Sequence, residues 1–209
     1  MTLVRRVIAY ELGMWRSLFR WVLRRPAAEP GAETFSYTGV VAPMLWAFIV
    51  LSTVEIPILD LILKHTLGWP SLRKVAAALG AYGVLWMLGL WASMKVHPHV
   101  VGDTGIRIRG GVTVDLTLDW EAVTDVRHRY RSLPSSRTVQ IEHEDGRAIL
   151  SVGAGGQTSV DVVLREPTVI PLPKGPSEPV TEVRCYADDP HAFLAAAHAR
   201  KGPLLSPPV

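Results

Sequence analysis

The chain has 209 residues, 48% of them hydrophobic, and a net charge of only +3, so it has room for a membrane segment and one small domain. Its pI near 9.2 does not indicate nucleic acid: six arginines crowd into residues 1–38, while residues 96–209 carry twelve Lys/Arg against fourteen Asp/Glu. The single cysteine, Cys185, excludes an internal disulfide and fits a reducing compartment.

From Thr2 to Arg25, Val4, Val7, Ile8, Trp15, Leu18, Phe19 and Val22 recur at three- and four-residue steps. The pattern predicts an amphipathic helix with a basic polar face. Arg5, Arg16, Arg20 and Arg24 are its candidate contacts to anionic lipid, at roughly 1 kcal/mol each near the headgroups. A helix packed on the hairpin or on the soluble domain is the alternative. Charges interrupt every apolar run here, so no cleavable signal peptide is expected. Pro26 closes the helix, and Ala27–Ser36 reads as a linker.

Val41–Leu63 and Val75–Met94 are apolar over 23 and 20 residues. Each can cross a hydrocarbon core of about 30 Å at ~1.5 Å per residue. The 11-residue link Lys64–Lys74 makes them a transmembrane helical hairpin. Six basic residues before the hairpin and Lys95, Arg107 and Arg109 after it outweigh Lys64, Arg73 and Lys74 in the link. That asymmetry places both termini in the cytoplasm. Trp46, Trp69 and Trp91 fall near span ends, where indole rings prefer to lie.

Glu55 and Asp60 interrupt the first span on either side of Pro57. An acid at this depth costs about 2.5–3.5 kcal/mol on insertion scales and must be neutralised, partnered or turned toward protein. Asp60 lies near the outer boundary, within reach of water or Lys64 four residues on. Glu55 is the candidate intramembrane contact, with Tyr82, Ser93 or Glu55 of another copy as possible partners. Two spans leave no room for a transport pathway in a monomer. Ala76, Gly80, Gly83 and Ser93 offer close helix approach in the second span.

After Met94, short runs of period-two pattern follow: Gly105–Arg109, Val112–Leu118, Ala122–Arg131, Thr138–Glu144, Ala148–Gly153, Ser159–Leu164 and Glu182–Tyr186. Glu166–Thr181, with five prolines, reads as an irregular insertion. Asp189–Lys201 reads as a closing helix with Asp188 or Asp189 as N-cap and Pro190 in its first turn.

The segment DTGIRIRGGVTVDLTLDWEAVTDVR (Asp103–Arg127) resembles the opening of bacterial PH-like domains of the membrane-flanked type. DDPHAFLAAAHAR (Asp188–Arg200) resembles their closing helix, and a two-helix hairpin stands before the domain as it does in that family. The resemblance covers roughly residues 40–201 and implies an α+β membrane protein: a transmembrane hairpin followed by a PH-like seven-stranded β-barrel with a C-terminal helix. The division that follows is 1–38 for the amphipathic helix and linker, 39–95 for the hairpin, 96–201 for the PH-like domain and 202–209 for a disordered tail. It implies a cytoplasmic scaffold or accessory module held at the membrane.

No catalytic constellation emerges. Arg107, Arg109, Arg127, Arg129 and Arg131 suit solvated strand faces paired with Asp115, Asp119 or Glu142, because the Gly110-Gly111 turn is too short to cradle a lipid headgroup. His97-Pro98-His99 lacks ligands at metal spacing and suits a cap on the membrane exit. Gly153–Gly156 precedes no helix, so it is no phosphate loop. Ser132, Ser135, Ser136 and His128 lie in no nucleophile motif. The reading is therefore a non-enzymatic membrane protein without cofactor or metal. Its expected partners are membrane lipid and either a second copy or another membrane protein. A subunit of a transport or export complex is the alternative.

Overall fold

The computed structural model describes residues 3–23, 31–172 and 175–201. Arg24 and the expected tail 202–209 lie outside them. The chain is α+β, with four helices and two sheets among the described residues. It divides into two compact units, one of residues 1–25 and 41–93, the other of 26–40 and 94–209.

The first unit is helical. Helix α1 spans Leu3–Val22, α2 spans Ala42–Thr66 and α3 spans Pro70–Val96. Helices α2 and α3 are long and apolar enough to cross a membrane. Pro43 opens α2 where a missing N–H costs nothing. Both helices run past the apolar stretches, so the link between them shrinks to residues 67–69. Within this unit Leu45, Ile49 and Trp91 form a small buried cluster. Trp91 meets Trp46 edge-on at 5.8 Å between ring centroids.

The second unit holds the strands. β1 (Glu33–Phe35), β2 (His99–Val101), β3 (Gly105–Gly110) and β4 (Val114–Asp119) form one sheet in that order, all antiparallel. β5 (Val123–Ser132), β6 (Val139–Glu144), β7 (Arg147–Val152), β8 (Gln157–Leu172) and β9 (Gly175–Cys185) form another, ordered β5-β8-β9-β7-β6. Here β7 and β9 run parallel. Alternation is clean in β4, where Val114, Leu116 and Leu118 face inward and Asp115, Thr117 and Asp119 face out. Helix α4 (Pro190–Lys201) is capped by the Asp189 carboxylate, which accepts from the Ala192 N–H at 2.9 Å. Its Phe193 is fully buried with Ile106, Val123, Val160, Val162, Val183 and Leu150. Burying each such side chain contributes about 1.5–3 kcal/mol.

Three expectations change. The described strands number nine, in two sheets with no closed barrel, instead of seven closing one. The stretch read as linker supplies β1, so the strand unit begins before the hairpin and resumes after it. The proline-rich stretch is no irregular insertion: β8 and β9 continue as a two-stranded arm pairing Thr168 with Val180 and Leu172 with Gly175. Ile170 and Val180 turn inward, while Pro167, Pro171, Pro176 and Pro179 are exposed. Exposed prolines on such an arm cannot donate to a further strand, which blunts its edges.

Candidate functional site

Helices α2 and α3 enclose a groove of about 410 Å³ lined by Ser52, Glu55, Ile56, Gly80, Gly83 and neighbouring apolar side chains. The helices approach closely at Gly80, where an added Cβ would lie 2.7 Å from Ile56 Cγ1. Glu55 opens into this groove and is exposed, with no hydrogen-bond partner among the described residues. The two intrachain partners expected for it are otherwise engaged. The Tyr82 hydroxyl donates to Glu11 Oε1 at 3.0 Å, and Ser93 Oγ donates to Leu90 O at 2.7 Å.

Asp60 departs from expectation as well. It takes a two-pronged bond from Arg73, with Nε and Nη2 at 2.9 and 2.7 Å, instead of reaching Lys64. The two residues stand thirteen apart, so the pair appears only once α3 folds back on α2. Such fork-to-carboxylate geometry is the strong form of a charged hydrogen bond.

Helix α1 packs on α3. Met14 is fully buried over Gly89, and Trp15 lies 6.2 Å from Tyr82 between ring centroids. The packing on the hairpin that the sequence offered as an alternative is present. It leaves a second face uncovered. Ile8, Leu12 and Phe19 are 53%, 64% and 68% exposed along one stripe. Beside that stripe stand Arg5 and Arg16, exposed, and Arg20, half-buried. Arg24, the fourth arginine of the expected set, is among the residues not described.

In the strand unit the chain segments on either side of the hairpin are held together. β1 pairs with β2, matching Thr34 to Val100 and Phe35 to His99. The Asp188 carboxylate accepts the Thr38 and Gly39 N–H groups at 3.2 and 2.7 Å, and the Asp188 N–H donates to Ser36 O at 2.8 Å. His99 is buried between the Arg109 N–H, 3.0 Å from Nδ1, and the Tyr186 carbonyl, 2.9 Å from Nε2. This fixes a neutral ring with Nδ1 accepting and Nε2–H donating. Burial pushes the His99 pKa down to about 4. Tyr37 is pushed up to about 12 by the same cause, while its hydroxyl accepts the Gly111 N–H at 2.7 Å.

The strand arginines depart in part from the solvated faces expected of them, because Arg109 is buried at 4% exposure. Arg107 forks onto Asp115, both contacts 2.6 Å, and holds that carboxyl below its ordinary range. Arg127 pairs with Asp125 and Arg131 with Asp161. Arg184 is 1% exposed at the centre of a ladder, with Glu144, Glu182 and Asp161 around it. Burial pulls its pKa down, but the Glu144 and Glu182 carboxylates more than offset this and leave it raised. Burial, with Asp161 nearby, lifts the Cys185 thiol to about 12, which leaves it unreactive.

His128 meets His191 edge-on at 4.5 Å between ring centroids, and His143 meets Glu178 at 3.0 Å. Among the described residues no three His, Cys, Asp or Glu side chains gather as a metal ligand set. Sequence reasoning missed Ser52 in the groove, Tyr37 beside His99, and Arg184, and it offered Asp188 as a helix cap where the structure has it accept the Thr38 and Gly39 N–H groups. Only Ser52 carried a signal, lying three residues before Glu55 and so on the same helix face. Comparison of the chain with protein-family models, curated proteins and solved structures gave no match.

Proposed function

We propose that the chain is an integral protein of a bacterial cell membrane, crossing it twice with both termini in the cytoplasm. It displays its β-rich unit, a PH-like domain, at the cytoplasmic face as a non-enzymatic scaffold or assembly module. The carrying observation is the pairing of β1 with β2. Strands that lead into and out of the apolar hairpin belong to one sheet, which supports a reading in which both ends of the hairpin lie on the same side of the membrane. The basic flanks select the cytoplasmic side. The exposed Ile8–Leu12–Phe19 stripe, with Arg5, Arg16 and Arg20 beside it, supports contact of α1 with anionic lipid. Arg24 extends that basic set in the sequence. A C-terminal helix closing the strands supports the PH-like reading, while the parallel β7–β9 pair departs from a simple meander.

Glu55 favours one second reading, a subunit of a transport or export complex that contributes a carboxyl to a shared intramembrane site. The test is purification of the full chain from native membranes in mild detergent after alkaline extraction. A scaffold resists extraction and brings soluble or peripheral partners or copies of itself. A transport subunit brings a multi-span protein. Release by alkaline extraction overturns membrane insertion.

A further inference from the structure

Hydroxyl side chains inside apolar helices usually turn back onto their own backbone, and most of those here do. Ser17, Thr53, Thr66 and Ser93 each donate to a carbonyl three or four residues earlier. Ser52 does not. Its hydroxyl and the Glu55 carboxyl both open into the α2–α3 groove without a hydrogen-bond partner among the described residues. One is a donor and the other an acceptor, one helical turn apart. Because helix side chains lean toward the N-terminus, the Glu55 carboxyl tilts back to the level of Ser52.

Gly83 lines the same groove. A Cβ there would meet nothing within 4 Å. Packing inside the chain therefore does not require glycine at a mid-helix position, where it is less stable than alanine. The position leaves open space on the groove.

We propose that the groove is the interface of a homodimer, in which a second copy presents the same face and each Ser52 hydroxyl donates to the other copy's Glu55 carboxyl. This rests on the membrane-spanning reading and deepens it by naming the partner. An isologous contact makes every donor–acceptor pair twice. All copies insert with one orientation, so a two-fold axis along the membrane normal holds Ser52 and Glu55 of both chains at matching depth. A lipid tail in the groove would leave both polar groups unpaired in hydrocarbon, which costs free energy. A different protein would need its own donor at this depth, whereas a second copy carries one already.

The full chain carrying Cys185→Ser and Ser52→Cys is oxidised in native membranes, with Leu61→Cys as the control. The expected result is a disulfide-linked dimer of the chain from Ser52→Cys and little from Leu61→Cys. A Ser52→Cys protein that stays in the membrane after alkaline extraction but yields no dimer, or is linked to another protein, overturns the proposal and leaves the membrane reading intact. Loss from the membrane pellet overturns the membrane reading itself. Equilibrium dimerisation in detergent gives a second readout. Glu55→Leu and Gly83→Leu should each weaken it about five- to tenfold, and Glu55→Gln, which still accepts a hydrogen bond, by less than about threefold. Equal affinities for wild type, Glu55→Leu and Gly83→Leu overturn the proposal.

Discussion

Tyr37 stacks on His99 with 4.7 Å between ring centroids and 29° between planes. The first ring precedes the apolar hairpin and the second follows it, so the contact joins two segments 62 positions apart. Together with the Asp188 bonds to Thr38 and Gly39, it makes the hairpin an insertion within the strand unit and not a leader in front of it.

A fragment of residues 97–201 should therefore be incomplete. It lacks β1 and uncovers His99, Asp188 and the edge of β2. Replacing residues 41–93 of the 31–201 chain with a flexible Gly/Ser linker restores that strand. The linked protein should melt higher than 97–201 by at least about 5 °C, in line with ~1 kcal/mol or more at this size. Equal melting temperatures in a thermal scan would show that β1 contributes nothing to the fold.

The buried neutral His99 imposes a pH dependence of stability. Its folded pKa is about 4, against roughly 6.5 in the unfolded chain. Between those values the unfolded state binds more protons, so stability is full above about pH 6.5 and falls as pH drops toward 4. The loss amounts to roughly 3 kcal/mol over that window. Urea titrations of the linked protein at pH 7 and pH 4.5 measure it. In His99→Gln overall stability should drop while the difference between the two pH values shrinks. A difference unchanged in that variant assigns the effect elsewhere.

Trp120 packs half-buried against the strand core and donates through Nε1 to Gly102 O at 3.0 Å. Trp120→Ala removes both the ring and the bond and should cost about 2–4 kcal/mol. Trp120→Phe should recover most of the packing term. An unchanged denaturation midpoint in Trp120→Ala would remove the residue from the core.

Membrane topology is open to labelling in a Cys185→Ser background. Ser71→Cys, at the start of α3, should react with an impermeant maleimide on intact cells, and Ser136→Cys, exposed after β5, only after lysis. The reverse pattern would invert the orientation. Labelling of both on intact cells would deny the two-span arrangement.

Local pattern alone determined the helices and most strands. Length and hydropathy marked α2 and α3, the three- and four-residue spacing marked α1, and period-two alternation found the cores of β3 to β8, because each signal is carried by neighbours in sequence. The same pattern singled out Glu55, since a carboxyl in an apolar helix needs no tertiary information to be noticed. Tertiary structure decided what touches what. Glu33–Phe35 is too short to signal a strand, and becomes one only because β2 lies beside it to take its hydrogen bonds. Prolines made 166–181 read as a loop, but the arm places them where no ladder N–H is needed. Arg73 finds Asp60, and Arg184 finds Glu144 forty residues away, through chain reversals that no local spacing encodes. Those partnerships are fixed by helix and strand register, a property of the packed chain and not of any window along it.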